Sequence, residues 1–515
     1  MRTNNIIFVL ISVFYLSNTN GQFIEDAKRY GFQSLEGTAR YVSMGGAFNA
    51  LGGDISSITD NPAAAGVFLY PEISVSMRAL ANNFQSEYFG QKSSLIPSTP
   101  IDINQAGFVF IMNSTNEEED FTKISFAFNY KRKQNFKSKF NVAGTNNKSG
   151  LDDYFLYYSQ GVMLKNLLLF PEETIPEAYQ DIGENLDFAS QQAFLGYHGY
   201  FINPLVENDD NTQYTSNSNL EGKSLDHSFF VKETGYQSEY NFTISAQYKD
   251  FLYLGMSINS YGIEFDRNDI LNETGYSSES PLIDSQFENI LSTVGEGFSM
   301  QIGGILKSKN FRLGLSYRTP IWYDFNDETS QYLKTEFSND TPVILNPKVL
   351  NVYNYKLIVP SKTSIGLAYV FGKKGLLSFQ YGKIKYQNLR FDVTNNDLHL
   401  KEQNSIISNN LEPATNLRFG GELRIEKLSF RLGYYSEKSK KYSVQSLDGS
   451  EYNSFSGGFG YDFDGSNFSL GIANSVIKSK FPMYSSSELN ANSLNDPIGL
   501  KNNQTQVVLT YSLKL

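Results

Sequence analysis

The 515-residue sequence contains no cysteine. Disulfides, thiolate zinc sites and cysteine nucleophiles are excluded together. Histidine is nearly as scarce. His198, His227 and His399 are the only three, none at a spacing such as H-E-x-x-H, so no metal site is expected. No G-x-S-x-G elbow occurs. All three histidines fall between the strands assigned below. A Ser–His pair assembled across strands, with His227 as its base, is the one enzyme reading left, and the sequence reads as a non-enzyme without cofactor. Past the N-terminus no apolar run reaches 18 residues, so no transmembrane helix is available. Basic excess is lacking too. With 43 Lys and Arg against 54 Asp and Glu the net charge is −11, which disfavours nucleic acid as a partner.

What the sequence does have is a leader and alternation. Residues 1–21 read as a signal peptide: Arg2, then the apolar run Ile6–Leu16, then small and polar residues up to Gly21. Beyond it, 34 Tyr and 40 Phe recur in two-residue periods. Ile124, Phe126, Phe128 and Tyr130 alternate with Ser125, Ala127, Asn129 and Lys131; Val507 to Leu515 does the same at the end of the chain. The polar faces carry Arg, Glu and Gly, and the apolar faces end in aromatics, as interfacial girdles do. These features predict an all-β, transmembrane antiparallel β-barrel lying in a lipid bilayer.

Strands are expected near 71–80, 104–113, 121–132, 238–249, 251–264, 297–307, 310–319, 362–371, 375–386, 415–425, 427–436, 453–463, 466–476 and 504–515, about 14 in all. Short connections such as Lys249-Asp250 and Glu426-Lys427 would face the periplasm and long ones the outside. The barrel would thus span 71–515, with one large extracellular loop over 133–237. Inside that loop, 151–170 (LDDYFLYYSQGVMLKNLLLF) is strongly apolar and suits a helix ended by Pro171. Its Phe155, Leu164, Leu167, Leu168 and Phe170 are candidates for capturing a hydrophobic ligand, or else for the loop's own core.

Residues 22–70 remain, before the first strand. Their stretch GTARYVSMGGAFNALGGDISSITDNPAAAG is dense in small residues. No Lys-Ser/Thr pair follows GGAFNALGG, so a phosphate loop is not indicated. Packed as a hatch, or plug, inside the lumen, the stretch would use Gly45 and Gly46 to let backbone approach backbone. Asn61 would make a side-chain turn into Pro62. Arg312, Arg318, Arg418, Arg424 and Arg431 point into the same lumen by alternation. They either pin the plug through ion pairs or hold the carboxylate of an amphipathic ligand.

A Gly/Ala-rich segment, then Asn61-Pro62-Ala63-Ala64, then about fourteen amphipathic strands behind a signal peptide resembles the FadL/TodX family of outer-membrane transport proteins. The family's Asn-Pro-Ala-Gly departs here, with the glycine delayed to Gly66. The resemblance implies residence in the outer membrane of a Gram-negative bacterium. It implies passive uptake of a hydrophobic or amphipathic small molecule such as a long-chain fatty acid. It also implies a lateral opening made by an inward kink of the third strand, yet 121–132 contains neither Gly nor Pro. The alternative is a non-transporting barrel subunit of an outer-membrane secretion or assembly complex, with other outer-membrane proteins as partners.

Overall fold

The computed structural model describes residues 24–31, 34–94, 99–116, 119–218, 224–393, 397–439, 451–484 and 497–515. The signal segment expected over 1–21 lies outside the described residues. Fourteen antiparallel strands close into a barrel. In chain order they are β1 (Glu72–Tyr88), β2 (Ile101–Asn113), β3 (Phe121–Asn135), β4 (Leu225–Tyr248), β5 (Leu252–Thr274) and β6 (Leu282–Ser308). Two strands follow in two pieces each: β7 (Phe311–Arg318 and Ile321–Phe337) and β8 (Asn351–Val359 and Lys362–Val370). The last six are β9 (Gly375–Lys385), β10 (Pro413–Ile425), β11 (Leu428–Ser439), β12 (Glu451–Asp462), β13 (Ser466–Phe481) and β14 (Ile498–Lys514). The ring closes where β1 pairs with β14, from Glu72↔Lys514 to Glu87↔Gly499.

One end of the barrel is made of tight turns. Lys249, Lys309, Glu426 and Asp464 take φ between 48° and 71° there. Positive φ gives a two-residue turn the twist that flanking antiparallel strands need. Each sequence-assigned strand lies on one of the fourteen, but several run much further outward. β6 begins at Leu282 rather than near 297, and β4 at Leu225 rather than near 238. The cause is a change of face. On β5, Leu254, Met256 and Ile258 point outward and are exposed, whereas Tyr261, Ile263 and Phe265 are buried inside. The apolar residues therefore move from even to odd positions midway along one strand. An outward-apolar template stops matching where the chain leaves the lipid.

The large loop is not a single excursion. Residues 138–146 form a strand that pairs with the outer part of β4. His227, expected in a loop, is therefore in a strand. The two other histidines are on helices, His198 on Phe188–His198 and His399 on Leu398–Asn410. The helix expected over 151–170 is shorter, Leu151–Ser159. Gln160 is extended and Gly161 takes φ +91°, which breaks the helix well before Pro171. A 3-10 turn over Leu164–Asn166 follows, then the helices Ile175–Asn185 and Phe188–His198. These pieces cap the outer end through a core that includes Phe155, Phe194, Phe201 and Phe287.

Residues 34–68 run through the interior as a short helix, Ala39–Ser43, and two 3-10 turns, Ile55–Thr59 and Pro62–Val67. Nearly all of this segment is buried. It touches β2 to β6 on one side and β11 to β14 on the other. Above it the helix Ile24–Gly31 packs Tyr30 flat on Phe325, ring centroids 4.5 Å apart.

Candidate functional site: a chamber above a filled lumen

The lower lumen is held by small residues and charge. Gly45 adopts φ +60°, and a Cβ there would fall 2.6 Å from the Tyr434 carbonyl oxygen of the wall. Gly46, at φ +68°, would press a Cβ to 2.9 Å from the Arg418 guanidinium. Larger residues would force the segment off the wall. Asn61 is fully buried and faces both ways. Its side-chain oxygen accepts from Ala63 N at 3.1 Å and so caps the turn that Pro62 opens. Its Nδ2 donates to Asn49 O at 2.8 Å and to the wall carbonyl of Gly304 at 3.1 Å.

The five lumen arginines divide. Arg312 Nη1 donates to Leu51 O at 2.5 Å. Arg418 pairs with Asp60 at 3.1 Å and donates to Tyr41 Oη at 2.7 Å. Arg431 reaches Glu422 at 2.7 Å, and Arg424, at the mouth of the barrel, reaches the same carboxylate at 2.5 Å. Arg40 of the segment completes that cluster at 2.8 Å. Buried guanidinium–carboxylate pairs of this kind fix geometry, and removing one partner leaves an uncompensated charge. Arg318 differs. It is buried among Glu239, Tyr261, Tyr323 and Tyr386, and its Nε and Nη2 have no hydrogen-bond partner among the described residues.

Above this packing the barrel opens into a chamber of about 480 Å³. Its walls carry the rings of Phe84, Phe140, Phe229, Phe265, Phe287 and Phe481. The helix Ile24–Gly31 contributes to the floor, where Arg29 lies over the Phe265 ring at 4.2 Å. Tyr154 and Phe188 of the loop helices line it from the outer side. Charged groups line the cavity beside the rings, among them Arg29, Glu233, Arg267, Asp269 and Asp327, and a concave cavity of this mixed kind suits an amphipathic molecule.

The loop residues singled out in the sequence do not act as one surface. Phe155, Leu164 and Leu167 are buried in the cap's core. Leu168 and Phe170 are exposed, the latter 69%. Phe155 is one residue away from the chamber-lining Tyr154, which sequence reasoning missed along with Phe229, Phe265 and Phe287. The signal that identifies the last three is the switch of apolar residues to the inward face of the outer strands.

The cap is also anchored by a buried polar cluster. Glu273 accepts from Leu151 N at 2.8 Å, pairs with His227 at 3.0 Å and accepts from Tyr276 Oη at 2.9 Å. Asp152 accepts from Ser216 and Ser218 at 2.5 Å each. Burial, and then Asp152 beside it, push the Asp153 carboxyl up to about 7.

The ladder of the wall is interrupted between β2 and β3. β2 and β3 pair from Asn113↔Lys123 to Gln105↔Lys131 and no further. β2 continues along β1 to Ile101, and β3 continues along β4 to Asn135 past a bulge at Lys133. Residues 101–104 and 132–135 therefore face each other without backbone pairing. The third strand thus has a bulge where no Gly or Pro marks it. Lower down, Phe108 of β2, Phe128 of β3, Phe242 of β4 and Met256 of β5 line a groove on the lipid-facing side.

A FadL homologue from Pseudomonas aeruginosa superposes with a TM-score of 0.52 at 9% identity, covering 94% of this chain and 98% of that one. The fold is FadL-like. The Pseudomonas putida toluene transporter TodX aligns with a TM-score of 0.47 at 13% identity over 94% and 100% of the two chains. The CymD monoaromatic hydrocarbon channel gives 0.47 at 11% over 93% and 97%. No protein-family model and no curated protein sequence matches the chain. The FadL-like barrel of this chain, with its lipid-facing apolar belt, is an outer-membrane barrel.

Proposed function

We propose that this protein is a passive outer-membrane channel for hydrophobic or amphipathic small molecules, with long-chain fatty acids the first class to test. The observation that carries this reading is the aromatic chamber, which sits directly above a lumen filled by residues 34–68. Aromatic walls take an acyl chain or ring by burial, at roughly 25 cal/mol per Å² of apolar surface removed from water. Beneath the floor, Arg318 keeps donors open for a carboxylate, which a guanidinium receives in a bidentate way. Leu168 and Phe170 are the part of the apolar loop available for capture from outside.

The segment 22–70 acts as the hatch in this reading. Gly45, Gly46, Asn61 and Pro62 seat it, Arg312 and Arg418 hold it directly, and Arg424 and Arg431 reach it through Glu422, which Arg40 of the segment also meets. The names of the structural neighbours, transporters of toluene and other hydrocarbons, point the same way. A side route through the wall fits the unpaired stretch between β2 and β3, with the lipid-facing groove below it. No energy source is needed, since a concentration gradient drives the flux.

The test is uptake of radiolabelled oleate by cells displaying the full chain. Phe265→Ala with Phe287→Ala should lower uptake severalfold, and Arg318→Gln should lower it for oleate but not for an uncharged alkane of equal length. Uptake equal to that of cells lacking the protein would refute the reading.

A further inference from the structure

The outward face of the barrel changes character where the apolar belt ends, and it changes in opposite directions on the two sides. On β9 the outward positions run Leu377, Phe379 and Tyr381, then Lys383. On β11 they run from Phe430 through Leu432 and Tyr434 to Lys438, and on β13 from Ile472 through Val476 to Lys478. On β14 the same progression, followed outward from Leu513, reaches Lys501. The ladder sets these four lysines on one line. Lys383 is opposite Thr415, Thr415 opposite Lys438, Lys438 opposite Glu451, Glu451 opposite Lys478, and Lys478 opposite Lys501. All four lysines are exposed. Four ammonium groups against one carboxylate thus lie along five strand spacings, about 24 Å.

The opposite wall is acidic where its belt ends. Beyond the outward pair Phe298 and Trp322 comes the pair Glu296 and Asp324, and further out come Glu264, Asp266 and Glu328, all exposed. Lys356 pairs with Asp324 there. A rim that served solubility alone would mix the signs; a surface of one sign draws a partner of the other.

Two features of the basic side identify that partner. Lys478 and Lys501 stand directly across from each other, where like charges destabilise a sheet, and neither has an ion pair among the described residues. An anion between them removes the repulsion. Directly below lies a surface for acyl chains. Leu432 is 74% and Phe455 69% exposed, and the rings of Phe379 and Phe419 meet with centroids 4.9 Å apart. The partner therefore carries anionic groups above and several acyl chains below, and it sits in the leaflet on the loop side of the barrel.

We propose that the face formed by β9 to β14 binds a phosphorylated glycolipid of the outer leaflet, its phosphates on Lys383, Lys438, Lys478 and Lys501 and its acyl chains on the aromatic belt beneath. Lysine serves phosphate as a compact point charge with three donors. The row is too wide for one phosphate, which favours a sugar frame bearing two over a phospholipid. This surface is separate from whatever the chamber carries, so its failure leaves the transport reading intact.

The test is native mass spectrometry of the full-length chain in dodecyl maltoside with added lipid A bearing two phosphates. The parent should bind it at least tenfold more tightly than dephosphorylated lipid A or phosphatidylglycerol. Lys478→Gln with Lys501→Gln should weaken binding about tenfold or more, as the loss of two charges beside an anionic surface implies. Lys356→Gln, on the acidic side, should leave it unchanged. Heat-dependent gel mobility certifies a folded barrel. Should the double variant fail to fold, Lys383→Gln carries the measurement, with a severalfold loss expected. Equal binding of dephosphorylated lipid A, equal binding of phosphatidylglycerol, or folded lysine variants that bind like the parent would each overturn the proposal.

Discussion

The lower and upper halves of this barrel are built with opposite faces. Below, Leu254, Met256 and Ile258 of β5 look out to lipid, and the interior is polar, glycine-lined and filled by the N-terminal segment. Above, Tyr261, Ile263 and Phe265 of the same strand look inward, and the outward positions Glu264 and Asp266 are exposed and charged. The solvent decides this. Where lipid lies outside, apolar side chains go outside and the polar interior is pinned by ion pairs. Where water lies outside, the barrel behaves as a soluble sandwich would and buries its aromatics within. The ring-lined chamber therefore forms in the upper half, and the segment held by ion pairs fills the lower.

The largest effect should come from the lower interior. Asp60→Ala leaves Arg418 buried beside Tyr41 without its carboxylate, a change worth about 3–5 kcal/mol. Amide exchange over 38–66 should accelerate strongly while the strands stay protected; unchanged exchange there would break the account of the lower half. Next comes the outer surface. Met256→Arg places a charge in lipid at a cost of about 2–4 kcal/mol, whereas Glu264→Arg, eight residues up the same face, should fall within about 0.5 kcal/mol of the parent. Equal costs in vesicle-based unfolding would erase the distinction between the halves.

The smallest effect concerns the cap. Burial, and then Asp152, hold the Asp153 carboxyl up to about 7 in the folded chain, against the 3.8 of a free carboxyl in the unfolded one. Stability of the cap therefore falls as pH rises from about 4 towards 7 and levels off above. Exchange over the helix Leu151–Ser159 should be better protected at pH 5.5 than at pH 8.5 after correction for intrinsic rates, and Asp153→Asn should flatten that difference.

Much of this was legible in the sequence and the remainder was hidden for identifiable reasons. The fourteen strands followed from alternation in the lipid belt, because there one face is uniformly apolar. Their outer extensions did not, because at residues such as Ser260 and Tyr261 the apolar face changes sides and the outward template fails. The Gly-rich stretch 37–66 was recognisable as something close-packed, but which arginine stays open was not. Arg312 and Arg318 sit in the same strand with the same parity, and only the third dimension gives one Leu51 O and leaves the other among tyrosines. Similarly, Phe155 and Phe170 share one apolar run, and Gly161, by ending the helix, sends one to the core and the other to the surface.

The most direct test is a structure of the detergent-purified full chain equilibrated with oleate. The account predicts elongated density in the upper chamber between Phe265 and Phe287, with the carboxylate directed down toward Arg318. An empty chamber with the oleate bound elsewhere, or nowhere, would contradict it.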